Sequence, residues 1–333
     1  MKVFNKFKVK VGSPSFIVKS IIFLLVLFTL DLSIGSLLNY LYFKQDSGLL
    51  YRTTYSLDST KADFLIFGSS TANHHYDPSI FEKRMHMSVY NTGRDANTIF
   101  YNYAVFQSII KRYTPKIAIL DFNVGEFKVF PQNYDRLSSL LPYYKTNPEL
   151  DQIIQLKSPF EKLKLISKIY PFNSLLFTIL IGNTGFNKSR DYISDEKGYI
   201  PLDRILKRKI TIDTSGGNYK IDSTKIRLLK SFVRECKNYD IQLYICISPC
   251  FKKYYYPDPS VIVINKIANE LNVPFYNFSD DTLFWDHPEY FADEVHLNET
   301  GAKIFSNKVV DKIKENQKQK PINSQQTLSV EVK

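Results

Sequence analysis

Asp63-Phe64-Leu65-Ile66-Phe67-Gly68-Ser69-Ser70 sets four apolar residues directly before a glycine and two serines. An apolar run of this length, closed by turn residues, predicts a buried strand ending in a tight turn. The form repeats downstream. Ser88-Val89-Tyr90-Asn91 predicts a second strand ending at Thr92-Gly93. Residues 96–112 carry Ile99, Tyr103, Phe106 and Ile110 at helical spacing, and Pro115 breaks that helix. Residues 116–121 predict a third strand that runs into Phe122-Asn123.

Strand and helix in alternation at this rhythm predict an α/β domain with a parallel sheet and crossover helices. The rhythm resumes late in the chain. Residues 220–238 form an amphipathic pattern with Ile226, Leu229, Phe232 and Val233 on one face. Residues 241–248 read as a strand closed by Pro249, 261–271 as a helix and 273–278 as a fifth strand. The last helix is expected over 300–314, with Ile304, Phe305, Val309 and Ile313 apolar. Between them lies an insertion, 124–218, rich in Tyr, Phe, Leu and Lys. It reads as irregular helices over 148–156, 159–170 and 171–181, then a polar loop, and is expected to cap one sheet edge. No internal repeat is present.

The N-terminus carries a targeting signal. Lys2, Lys6, Lys8 and Lys10 precede an apolar stretch over 16–43. A span needs roughly 20 mostly apolar residues. This stretch reaches that length by accepting Asp31 and Asn39, with Lys19 snorkelling to the inner face. No small-residue cleavage site follows, so an uncleaved anchor is expected. Lysines before the span place the N-terminus inside and the domain on the extracytoplasmic side of the cytoplasmic membrane. The expected organisation is a basic N-terminus (1–15), a transmembrane anchor (16–43), a polar stalk (44–61), the α/β domain (62–315) and a disordered tail (316–333).

The 333 residues are 44% hydrophobic and 15% aromatic, enough for a true core. The net charge of +11 admits nucleic acid, a membrane surface or an acidic polymer as partner. The lysines are scattered and form no nucleic-acid motif, so no nucleic acid is expected. Cys236, Cys246 and Cys250 lack the spacing of a zinc site. They read as free thiols, a disulfide between two of them being the alternative.

In parallel α/β sheets ligands bind beyond the carboxyl ends of the strands. Three polar segments stand at such ends: Gly68-Ser69-Ser70, Asn91-Thr92-Gly93 and Asp121-Phe122-Asn123. A fourth, Asp293-Glu294-Val295-His296, precedes the last helix. A serine hydroxyl becomes a nucleophile when a histidine takes its proton and a carboxylate orients that histidine. Asp293 and His296, three apart, can lie side by side on one turn. Ser70 is thus the candidate nucleophile, His296 the base and Asp293 its orienting acid. Oxyanion donors are expected in the N–H groups of Ser70 and Gly93. Ser69, His74 and Arg94 are expected substrate contacts.

Blander readings stand beside these. Ser70 is also a good helix N-cap, and Arg94 with Asp95 an ordinary surface ion pair. His74 and His75 suit solvated or pocket-wall positions better than metal ligation. Asp286-His287 is a competing acid–base pair. Tyr254, Tyr255, Tyr256 and Trp285 suit either sugar stacking or loop anchoring.

These four segments, in this order, resemble the blocks of the SGNH/GDSL hydrolases. Phe67-Gly68-Ser69-Ser70 stands where that family has Gly-Asp-Ser, with Ser69 at the usual aspartate position. Gly93 matches the second block. Asp121-Phe122-Asn123-Val124 keeps only the asparagine of the third, and by that match Asn123 is a third expected oxyanion donor. Asp293 and His296 match the last, Asp-x-x-His. The resemblance covers residues 63–123 and 220–314. It implies a three-layer, flavodoxin-like parallel sheet and a serine esterase that needs no metal or organic cofactor. The departures resemble membrane-anchored relatives linked to teichoic acid D-alanylation and alginate-type O-acetylation. The implied partner is an acylated envelope or exported polysaccharide, with hydrolysis and transfer both open. Two alternatives are a catalytically silent glycan-binding relative and a subunit of a membrane acyltransferase contacted through Asp31.

Overall fold

The structure is a computed structural model that describes residues 14–185, 197–214 and 217–319. Helix α1 (Pro14–Phe43) is long and apolar enough to cross a membrane. The chain then forms α2 (Gly48–Thr54), β1 (Phe64–Phe67), α3 (Ser70–His75), α4 (Pro78–Met85), β2 (Val89–Asn91), α5 (Ile99–Ile110) and β3 (Ile117–Asp121). After the insertion come α6 (Ser223–Asn238), β4 (Gln242–Ile247), α7 (Pro259–Glu270), β5 (Phe275–Asn277) and α8 (Glu299–Gln319).

The five strands form one sheet in the order β2-β1-β3-β4-β5, every neighbouring pair parallel. Phe64 stands opposite both Val89 and Ile117, and Ile119 opposite Tyr244. Because strand side chains alternate, the sheet feeds two cores. Leu65, Phe67, Leu120 and Ile245 point into one, shared with α5, α6 and α7. Phe64, Ile66, Ile119 and Cys246 point into the other, shared with α4 and α8. Burial on both faces explains why the middles of β1, β3 and β4 are apolar without alternation. Phe64 and Phe67 are fully buried, each contributing about 2 kcal/mol by removal from water.

The helices start where the sequence supplies caps. Asp77, Asp222 and Asp258 each accept a backbone N–H from the first turn of α4, α6 and α7. Each such cap stabilises by about 1 kcal/mol. Pro78 and Pro259 at the first helical position need no donor there.

The order 2-1-3-4-5 puts a switch point between β1 and β3, where the chain reverses its direction across the sheet. Gly68-Ser69-Ser70 leaves β1 and Asn123 follows β3, so both flank this crevice.

Three expectations need correction. The segment read as a stalk folds as α2 and the π-helical turn Tyr55–Ser59, burying Leu50 and Leu57. Its apolar residues are few but spaced to meet one face, which a count of polar residues obscures. Of the irregular helices expected in the insertion, 148–156 and 171–181 are present as unbroken runs of mixed 3-10 and α turns, Pro148–Lys157 and Tyr170–Gly182, whereas 159–170 keeps only the α turn Glu161–Lys164. The prolines at 142, 148, 159 and 171 interrupt the helical ladder. Residues 316–319, assigned to the tail, continue α8, while 320–333 and 1–13 lie outside the described residues. The insertion leaves and returns at one place, through the antiparallel bridge of Lys128 with Ile221. Residues 197–200 run beside β2, where Asn91 donates its N–H to the Lys197 carbonyl at 2.8 Å.

Candidate active site

Ser70 is the first residue of α3, directly after the β1 turn. Gly68 makes that turn possible. A Cβ on it would sit 2.6 Å from Ala72 Cβ and 2.9 Å from Asp121 Cβ. His296 belongs to the loop before α8, 226 positions along the chain from Ser70. Its Nε2 lies 2.8 Å from Ser70 Oγ. Its Nδ1 lies 2.9 Å from Asp293 Oδ2 and 3.0 Å from Oδ1. Asp293 Oδ1 also accepts the Val295 and His296 N–H groups at 2.8 and 2.9 Å. Partial burial raises the Asp293 carboxyl, but the His296 ring and these N–H donors outweigh it and hold the group below its usual range. With its acceptor carboxylate ionised, the imidazole carries its proton on Nδ1 and presents a basic Nε2 to Ser70.

The competing pair is separated from this site. His287 Nδ1 contacts Glu289 Oε1 at 2.7 Å instead of Asp286.

Ser70 opens onto a cleft of about 300 Å³ whose walls include Ser69, Phe122, Asn123, Pro249, Tyr254 and Val295. A neighbouring cleft of about 370 Å³ shares Val124, Lys252 and Tyr254 with it and adds Tyr219, Tyr256 and Asp258. The two clefts thus adjoin along a shared wall. The tyrosines line them, while Trp285 stands apart with Lys253 Nζ 4.6 Å from its ring centre.

The three expected oxyanion donors differ. The Ser70 N–H is held by Ser69 Oγ at 2.6 Å. The Gly93 N–H is held by Asn91 Oδ1 at 2.9 Å. Gly93 is instead a packing glycine, because a Cβ there would meet Asn73 N at 2.7 Å. Asn123 remains. Its Oδ1 lies 2.8 Å from Thr71 Oγ1, which leaves its NH2 as the group that can donate into the cleft.

Behind Asn123 is a buried acid, Asp121, the last residue of β3. Asp121 meets the hydroxyls of Tyr76 at 2.8 Å, Ser248 at 2.6 Å and Thr71 at short range. Burial pushes its carboxyl up to about 6, although these hydroxyl donors oppose the shift. Thr71 Oγ1 stands between Asp121 Oδ2 and Asn123 Oδ1, two acceptors that share its single proton, and so links the buried acid to the cleft wall.

The expected substrate contacts are largely structural. Ser69 lines the cleft, but its hydroxyl is engaged by the Ser70 N–H. His74 is buried beside the base, its ring centre 5.3 Å from that of His296, and its Nδ1 donates to the Ile200 carbonyl at 2.7 Å. Arg94 is not among the walls of the Ser70 cleft. It is buried, bonded to Thr53 Oγ1, and 5.5 Å from the centre of the Tyr101 ring. The α2 segment, unexpected from sequence, supplies that partner.

His75 takes neither of its expected positions, solvent or pocket wall. It is fully buried, and its Nε2 accepts the Leu297 N–H at 2.9 Å. Burial holds its ring well below the usual histidine range, so it stays neutral. Among the described residues no group of three or more His, Cys, Asp or Glu could hold a metal ion. All three cysteines are free, so the disulfide alternative is not realised.

The fold and geometry define an α/β protein with a serine–histidine–carboxylate array at the carboxyl edge of a parallel sheet. No protein-family model matches the chain, and no curated protein matches it either.

Proposed function

We propose that the chain is an SGNH-like serine esterase or O-acyltransferase, anchored by α1 at the outer face of the cytoplasmic membrane. Its substrate class is acyl esters, acetyl in particular, of an envelope or exported polysaccharide. The observation that carries this reading is the hydrogen-bonded sequence Ser70 Oγ, His296 Nε2, His296 Nδ1, Asp293 at a cleft beside the switch point. Ser70 Oγ attacks the ester carbonyl carbon while His296 Nε2 takes its proton. The Asn123 NH2 donates to the oxyanion. Collapse breaks the bond to the glycan oxygen, which receives the proton from His296, and leaves the acyl group on Ser70. Water or a sugar hydroxyl then gives its proton to His296 and attacks the acyl carbon, the bond to Ser70 Oγ breaks, and His296 returns the proton to that oxygen. Asp293 keeps the imidazole oriented and stabilises its cation. Tyr254 in the Ser70 cleft, with Tyr219 and Tyr256 in the adjoining one, supports a substrate with sugar rings, since aromatic faces pack on the apolar faces of sugars.

A second reading is an SGNH-like protein that binds a glycan without turning it over, or assists a membrane acyltransferase. The engaged N–H groups of Ser70 and Gly93 favour it, because an acyl-transfer site needs donors aimed at the oxyanion.

One experiment separates them. The full chain in detergent is treated with a fluorophosphonate probe and assayed on short-chain aryl esters, beside Ser70→Ala. Labelling and hydrolysis that both vanish in Ser70→Ala support the enzyme. A folded wild type that neither labels nor hydrolyses sinks it and leaves the binding reading.

A further inference from the structure

Phe160, Leu163, Ile166, Leu176, Phe177 and Leu180 are all exposed in the insertion, Ile166 by 74% and Phe177 by 75%. They cluster next to α1. Residues 176–182 pack on α1 and α2, and Asn183 Nδ2 donates to the Leu41 carbonyl at 2.9 Å. Lower on the same helix, Asp31 accepts the Ser167 hydroxyl and the N–H groups of Lys168 at 2.8 Å and Ile169 at 3.3 Å. Lys168 also packs on Gly35, where a Cβ would meet Lys168 Cβ at 2.4 Å. The insertion is therefore clamped to α1 from Asp31 to Leu41.

Depth follows from helix geometry. At 1.5 Å per residue the 30 residues of α1 reach about 45 Å, against about 30 Å of hydrocarbon. The surplus is the outer end, where Leu38 and Tyr42 are buried against the domain. A span entering near Phe16 puts Asp31 about 23 Å across, inside the outer leaflet. A carboxylate at that depth is costly unless paired, and Ser167, Lys168 and Ile169 pair it within the chain. The residues that do so lie at the same depth, and so do the apolar side chains around them. Lysines alternate with those side chains at 162, 164 and 168, the pattern of a segment lying in a lipid interface.

We propose that residues 160–180 form a second membrane contact, a collar around α1 whose exposed apolar face enters the outer leaflet. The collar fixes the domain's tilt on the membrane and holds the Ser70 cleft at a set orientation to it. This inference rests on the anchor reading of α1.

The test uses the full chain in phosphatidylcholine–phosphatidylglycerol vesicles with bromine on the acyl chains. Trp285 is the only tryptophan, so the Trp285→Phe background allows single probes. Leu24→Trp reports the anchor, and Ile166→Trp and Phe177→Trp report the collar. All three side chains are exposed, so the substitutions disturb no core. The expected result is emission at least twofold lower in brominated than in plain vesicles for all three, with Trp285 of the wild type unquenched. Quenching of Leu24→Trp without either collar probe overturns the collar, leaves the anchor standing and reserves the apolar face for a protein. No quenching of any probe overturns both.

Discussion

His75 Nε2 accepts the Leu297 N–H at 2.9 Å, joining the residue five positions after the candidate nucleophile to the residue next to its base. The two ends of the array are thus tied by a bond outside it. A buried N–H left without an acceptor costs about 1–3 kcal/mol. His75→Leu is expected to lower stability by that amount and to reduce kcat more than it raises KM, because the His296 loop loosens. His75→Gln, whose carbonyl can accept the same N–H, should recover most of both. Equal losses in the two variants would refute the positioning role.

Asn123 is the one expected oxyanion donor whose donating group is not already engaged within the protein among the described residues. Removing a single oxyanion donor costs about 10²–10³ in kcat. Asn123→Ala should fall in that range on an aryl ester, and Thr71→Val, which removes the tie to Asn123 Oδ1, about tenfold. An Asn123→Ala enzyme with unchanged kcat would move the oxyanion elsewhere in the cleft.

Asp121 gives a stability slope with a definite sign. Its carboxyl is raised from 3.8 to about 6 by burial, so between those values the folded chain holds more protons than the unfolded one. Stability therefore falls as pH rises through that window, by about 3 kcal/mol once ionisation is complete. Asp121→Asn cannot ionise. Its melting temperature relative to wild type should climb from pH 4 to pH 7 and then level off. A difference that stays flat with pH would mean that Asp121 titrates normally.

Arg94 separates a structural from a substrate-binding residue. Its charge lies against Tyr101 and Thr53, contacts worth about 1–2 kcal/mol when shielded from water. Arg94→Gln should lower the melting temperature while leaving KM for a neutral ester within twofold. A large KM effect at unchanged stability would restore Arg94 to the substrate.

Asp293 should behave as an orienting acid. Asp293→Asn keeps the shape but no longer favours Nδ1–H on His296, and a loss of up to about 10⁴ in kcat is expected with the fold intact. Steady-state kinetics with a circular-dichroism check on folding reads both. A loss below tenfold would remove Asp293 from the array.

Much of this chain is written locally. Four apolar residues before Gly68, the alternation of strand and helix, and the Asp77-Pro78 and Asp258-Pro259 caps rest on backbone sterics and nearest-neighbour burial, which act over a few residues. The placement of Ser70 and Asn123 at strand ends was legible for the same reason. So was the pairing of Asp293 with His296, since they are only three positions apart. Tertiary structure alone decided what depends on partners distant in sequence. It brought His296 across 226 positions to Ser70, spent the Ser70 and Gly93 N–H groups on Ser69 and Asn91, and turned Arg94 toward Thr53. It also gave Asp31 its partners in the insertion, 136 to 138 positions away. A sequence states which groups can donate or accept; which ones meet is set by packing, because each hydrogen bond is satisfied by whatever the folded chain brings within about 3 Å.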